Sequence, residues 1–247
     1  MAFEVTARSS VRTWARATGG LYVLYMAASV LADALAHIGM GDEEQVYLAI
    51  TTNPSSFRLG LLVAFASGLL FLLTAWGLYV LLRRLNGELS LLFLLLNAVG
   101  VAVQCASLLA LVAALHAADP AAGGLNGFTD AQAAALSHLA IGVYKTGFVA
   151  AQLFFGAWLF PLGYLVYRSG MLPRVLGVLL IADGCAEMIW LVQAIVLPTH
   201  PEIRVPGTFV SLLAEVGLAL WLLIRAVRIV DSGPDAPQVV APSTQDG

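Results

Sequence analysis

The sequence predicts an all-α, polytopic membrane protein with six transmembrane helices in one bundle and both termini cytoplasmic. Three observations carry this prediction. The 247 residues are 60% hydrophobic and only 11% charged, whereas a soluble domain carries roughly 25% charged residues. The apolar residues fall in six runs, each long enough to cross about 30 Å of hydrocarbon at about 1.5 Å per helical residue. The arginines gather on one set of alternate connections, which the positive-inside rule assigns to the cytoplasm.

The six runs are 14–37, 59–82, 89–115, 139–167, 174–197 and 207–229. Helices are required, because a lone strand would leave its backbone N–H and C=O groups unpaired in lipid. Turn-forming residues separate the runs: Asn53-Pro54, Asn86-Gly87, the Pro/Gly-rich stretch 120–127, Pro173, and Pro198 to Pro206. Pro161 lies inside the fourth run, where its missing N–H predicts a kink. Residues 42–51 read as a short amphipathic helix on the outer surface, and 129–137 as another with Thr129 as N-cap.

Arg8, Arg12, Arg16, Arg83, Arg84, Arg168, Arg174, Arg225 and Arg228 fall on the side of the N-terminus. Only Arg58 and Arg204 flank the other side, whose first loop carries Asp42, Glu43 and Glu44. The chain thus divides into a cytoplasmic segment 1–13, a transmembrane domain 14–229 and a cytoplasmic tail 230–247. That tail, rich in Pro, Ser, Asp and Gly, reads as disordered. Residues 1–36 also have the form of a signal peptide, with Ala34-Leu35-Ala36 as its cleavage site. The even helix count and the arginine pattern favour an uncleaved first span.

No basic stripe points to nucleic acid. Cys105 and Cys185 both sit mid-run, where cysteine packs as a small apolar residue. No cofactor or metal-ligand spacing is present.

Inside the runs, polar residues recur at spacings of four and seven, which share a helix face. The first run has Ser29, Asp33 and His37, the second Ser67 and Thr74, and the third Asn97, Gln104 and Ser107. The fourth has His138, Lys145 and Gln152, the fifth Asp183 and Glu187, and the sixth Ser211 and Glu215. Six polar faces can meet only in a bundle interior. Ser67, Thr74, Asn97, Gln104 and Ser107 are expected to serve as hydrogen-bonding glue between helices. Gly142, Gly156 and Gly163 are expected to let backbones approach.

Ionisable groups at membrane depth are costly and point to function. Asp33, Asp183, Glu187 and Glu215 stand against Lys145, the chain's one lysine. Four acids minus one lysine leave a charge of −3, or −2 if Arg58 reaches in, so a proton or a bound cation is expected there. Depth along the helices predicts a polar funnel, open outward and closed toward the cytoplasm. Its candidate ligand or proton site comprises Lys145, Glu187, Glu215 and Asp183, with Asp33 and Arg58 at the mouth.

FRLG at 57–60, GYLVYRSGMLPRVLGVLL at 163–180 and AEVGLALWLL at 214–223 resemble a bacterial membrane family known as domain of unknown function 4386. The likeness covers about residues 15–227, and YRSG-x-LPR-x-LG is its most specific part. Its motif residues here are Arg58, Tyr167, Arg168, Ser169, Gly170, Pro173, Arg174, Gly177 and Glu215. The resemblance implies a six-helix, multi-pass protein of the bacterial inner membrane, with no established activity and with the lipid bilayer as its setting.

Three functions are compatible with these residues. A protein that binds or moves a small-molecule ligand or a proton fits the unbalanced acids. A structural or regulatory membrane partner would use the polar stripes for packing only. A metal-dependent intramembrane lipid hydrolase would need His37, His116, His138 and His200 to converge with Asp33.

Overall fold

A computed structural model describes residues 2–39, 41–118 and 127–231, with side chains over 11–39, 41–118 and 127–225. The expected disordered tail beyond 231, the turn residues 119–126 and the side chains of Arg8 and Arg228 lie outside the described residues. The described part is all helical: α1 (Ala2–Ala36), α2 (Glu43–Thr52), α3 (Pro54–Leu82), α4 (Gly87–Ala118), α5 (Asp130–Arg168), α6 (Arg174–Val196), a 3₁₀ turn (Pro201–Arg204) and α7 (Val205–Asp231). Six of these are long and apolar enough to cross a membrane, and the chain is a multi-pass membrane protein.

α1 runs without a break from Ala2 into the first span, Val11–Ala36. One boundary differs from the sequence reading. The short outer helix expected at 129–137 is instead the first turns of α5, which runs unbroken through Pro161 for 39 residues. Its start is as expected. Thr129 accepts from the Gln132 backbone N–H at 3.3 Å while the Gln132 side chain accepts from the Thr129 N–H at 2.9 Å, a reciprocal cap that satisfies two orphan donors. Asp42 and Gln45 cap α2 in the same way.

The six spans form a ring in chain order. Each packs against its neighbours in sequence, and α7 closes against α1. An even number of spans makes every neighbouring pair antiparallel, including the closing pair. Long apolar side chains such as Leu24, Val30, Leu62, Leu109, Leu139, Val178, Phe209 and Leu213 point outward, as lipid-facing positions do.

Where lipid is the solvent, helices associate through close packing rather than hydrophobic expulsion, so small residues set the seams. α5 and α6 show this best. Gly156 and Gly163 are seven apart, as are Gly177 and Gly184, and the two pairs meet in reverse order. A Cβ on Gly163 would lie 2.8 Å from the Gly177 carbonyl oxygen, and one on Gly184 would lie 3.0 Å from that of Gly156. Gly142, expected to act likewise, has only the Glu43 side chain near it, at 3.6 Å.

The expectation of polar glue is corrected for Ser67, Thr74 and Ser107, which donate to carbonyls three or four residues back in their own helices, each at 2.8 Å. That is the usual local alternative for a helical hydroxyl. Bonds between helices come instead from Ser56 to the Leu35 carbonyl at 3.0 Å, Ser137 to the Ala114 carbonyl at 3.1 Å, and Ser211 to Asp183.

The tight turn between α5 and α6 explains the YRSG-x-LPR-x-LG signature physically. Ser169 Oγ accepts from the N–H groups of Met171 and Leu172 at 3.2 and 3.3 Å. Gly170 takes a φ of +63°, a left-handed conformation that glycine adopts without a Cβ clash. The Arg174 guanidinium lies 5.7 Å from the Tyr167 ring centroid. Gly177 lets the Tyr167 backbone approach, since a Cβ there would lie 2.7 Å from the Tyr167 nitrogen.

The buried apolar side chains form two clusters. One, around Tyr22, Phe71, Phe155 and Trp158, draws on all six spans. The other fills the end nearer α2, with Ala36, Val46, Ile50, Phe57, Leu111 and Tyr144, and draws on α1 to α5 only. At that end α2 plugs one half of the ring. The half beside α6 and α7 is left unfilled.

Candidate functional site

That unfilled half is a cavity of about 250 Å³. It extends from Arg204, at the turn between α6 and α7, down to Trp158 on α5. Glu215 lies eleven residues beyond Arg204, which is about 16 Å along the helix. The aromatic floor is closely packed: Phe71 stacks on Tyr25 at 4.3 Å and meets the Trp158 ring edge-on at 5.3 Å and 89°. Phe148 and Trp190, 6.0 Å apart, form the upper wall.

Three carboxylates line the cavity: Asp183 and Glu187 from α6 and Glu215 from α7. Spacing puts them there. Asp183 and Glu187 are one turn apart on α6, and Ser211 and Glu215 are one turn apart on the facing side of α7. Gly184, beside Asp183, admits the Gly156 backbone and so brings α6 close to α5 at this level. The Ser211 hydroxyl donates to Asp183 Oδ1 and lies 3.5 Å from Glu187 Oε1. The other oxygens, Asp183 Oδ2 and Glu187 Oε2, are buried with no hydrogen-bond partner. Asp183 as a whole is only 1% exposed. Glu215 faces the Tyr22 hydroxyl.

Among the described residues, the one cationic side chain on the cavity wall is Arg204, whose guanidinium sits 5.5 Å from the Trp190 ring centroid. Among these residues, three carboxyl groups against one guanidinium make the wall acidic. Gln104, Gln152 and Thr208 add to the polar lining, and the Gln152 amide donates to its own helix at the Phe148 carbonyl, 3.3 Å away.

The structure divides the expected funnel in two. Lys145 does not meet Glu187 or Glu215. Its ammonium donates to the Gly41 carbonyl, 5.5 Å from the Tyr144 ring centroid. Asp33, Asp42 and Glu43 supply the opposing charge around it. It thus ties α5 to the start of α2, on the plugged side of the ring. Asp33 belongs to this group around Lys145, and Arg58 lies exposed near the start of α3; neither lines the cavity.

The four histidines do not converge. His138 stacks on Tyr47 at 4.3 Å, His116 Nδ1 bonds the Val112 carbonyl at 2.7 Å, His200 pairs with Glu202 at 3.0 Å, and His37 follows α1 with a φ of 52°. Among the described residues no group of three or more His, Cys, Asp or Glu is placed to hold a metal ion. The zinc centre of the hydrolase reading therefore has no donor set here.

What the sequence reading missed is the aromatic lining and Arg204. In a chain this apolar, an aromatic residue facing the interior carries the same local signature as one facing lipid.

The model of a family described as a domain of unknown function, DUF4386, matches residues 17–226. The chain belongs to this family. The match takes in every span and all three cavity carboxylates, and the family's description names no activity. No curated protein and no solved structure matches the chain.

Proposed function

We propose that this DUF4386 protein binds a small polar solute, and serves its passage, through the cavity beside α6 and α7. The cavity would open to the outer face of a bacterial inner membrane. The observation that carries this reading is Asp183 Oδ2, a buried carboxylate oxygen at the cavity wall without a partner. A buried polar group left unpaired is costly, and a purely structural role would supply it with a fixed donor. Ser211 supplies one donor between two carboxylates, which leaves acceptors for a ligand or water.

The outward direction follows from charge. Nine of eleven arginines lie with the N-terminus, and Arg204 at the cavity mouth is at the opposite end. Three arginines of the N-terminal end lie over aromatic rings, Arg83 on Tyr79, Arg174 on Tyr167 and Arg225 on Trp221, an arrangement suited to a headgroup layer.

Cysteine accessibility tests the reading. Thr208→Cys and Ser211→Cys, in a background lacking Cys105 and Cys185, would be exposed to membrane-impermeant thiol reagents in vesicles of each sidedness. Both positions should react from the outer side alone. No reaction from either side would leave the structural-partner reading in its place.

A further inference from the structure

We infer that the cavity selects a small organic cation bearing N–H donors, that is, a protonated primary or secondary amine. This deepens the solute-binding reading and rests on it. The wall's acidity sets the sign: among the described residues, Asp183, Glu187 and Glu215 stand against one cation, Arg204. The orphan atoms set the donor requirement. Asp183 Oδ2 and Glu187 Oε2 are buried acceptors without donors, and Asp183 is 1% exposed and faces the cavity. A carboxylate accepts and cannot donate, so these atoms call for a ligand that brings donors, and on an organic cation those are N–H groups. A quaternary ammonium brings none.

Asp183 and Glu187 meet at Ser211, but among the described residues no group of three or more His, Cys, Asp or Glu is placed to hold a metal ion. Charge spread over two helices suits a ligand with a body. The floor gives that body its surface, through the faces and edges of Tyr25, Phe71, Phe155 and Trp158. Aromatic faces also attract cations directly. The volume limits the size: about 250 Å³ falls just below the usual range of ligand pockets, about 300–1,000 Å³.

The test is a titration of the purified protein, read by tryptophan fluorescence, since Trp158 and Trp190 both line the cavity. The probes are 2-phenylethylammonium, its neutral analogue 2-phenylethanol, its anionic analogue phenylacetate, and benzyltrimethylammonium. We expect saturable binding of 2-phenylethylammonium, with the other three at least about tenfold weaker, as loss of a charge-assisted hydrogen bond implies. Asp183→Asn should weaken the amine by a similar factor. Glu187→Gln, at a less buried position, gives the same readout if the first variant does not fold. Lys145→Ala, outside the cavity, should leave binding unchanged. Equal binding of 2-phenylethanol or phenylacetate would overturn the cation claim, and equal binding of benzyltrimethylammonium would overturn the N–H requirement. Absence of binding by all four probes, with Ser211→Cys still reactive from outside, would overturn the ligand class and leave the cavity reading standing. Loss of both would overturn the two together.

Discussion

The Ser211 hydroxyl of α7 donates to the Asp183 carboxylate of α6, and the same hydroxyl stands 3.5 Å from Glu187. One donor serves the seam between two helices and two acids at once. Ser211→Ala should therefore lower thermal stability in detergent, by about 0.6–2 kcal/mol as for other interhelical hydrogen bonds in membranes. Asp183→Asn keeps an acceptor for Ser211 and removes a buried charge, so it should match or exceed wild-type stability. The two effects should not add, because the pair shares one bond. Melting curves of both single variants and the double variant decide this.

Lys145 anchors the plug rather than the cavity. Its bond to the Gly41 carbonyl holds the approach to α2 against α5, and α2 buries Val46 and Ile50 in the outer cluster. Lys145→Met keeps the apolar stem and removes the donor. Amide hydrogen exchange across 41–52 should accelerate by at least about tenfold, the equivalent of about 1.4 kcal/mol, while exchange in α6 stays as in wild type. Unchanged exchange over 41–52 would show that the plug holds without the lysine.

The sequence was most informative where one physical cause acts alone. Span number follows from apolar length, and the meeting of Asp183, Glu187 and Glu215 follows from helical periodicity on α6 and α7. Lys145 was misplaced by the same periodicity. The spacing of His138, Lys145 and Gln152 puts them on one face, but a face is wide and a lysine stem is long. Which neighbour the ammonium reaches depends on the path of the loop before α2, and no local pattern encodes that path. Ser67, Thr74 and Ser107 show a related failure, since a hydroxyl in a helix always has its own backbone carbonyl within reach. Gly156, Gly163, Gly177 and Gly184 carried more information than their individual positions suggest. Two seven-residue pairs on consecutive antiparallel helices identify a shared seam.

That seam gives a third prediction. Gly177→Val would place side-chain atoms where the Gly163 carbonyl oxygen and the Tyr167 backbone now lie, both 2.7 Å from a Cβ. These are backbone atoms on packed helices and cannot rotate away. Overpacking of this kind costs about 1–3 kcal/mol or more. The expected result is a reduced yield of monodisperse protein on gel filtration. Gly20→Val is the control, because a Cβ there meets nothing within 4 Å, and it should behave as wild type.

The last prediction concerns sidedness, on which the outward opening of the cavity depends. Arg83 and Arg84 in one short connection and Arg168 and Arg174 in another put four cations at the end that also holds the start of α1. Moving such residues to the outer face would set them against the membrane potential, at about 2.3 kcal/mol per charge for each 100 mV. A half-exposed position in the first of these connections, Leu85, and an exposed one at the cavity end, Glu202, report on the two faces. In a background lacking Cys105 and Cys185, Glu202→Cys should be labelled by an impermeant maleimide added to intact spheroplasts, and Leu85→Cys only after lysis. The reverse pattern would put the carboxylate-lined cavity in contact with the cytoplasm. Amine selectivity would then describe export or sensing of an internal solute, with the chemistry of the wall unchanged.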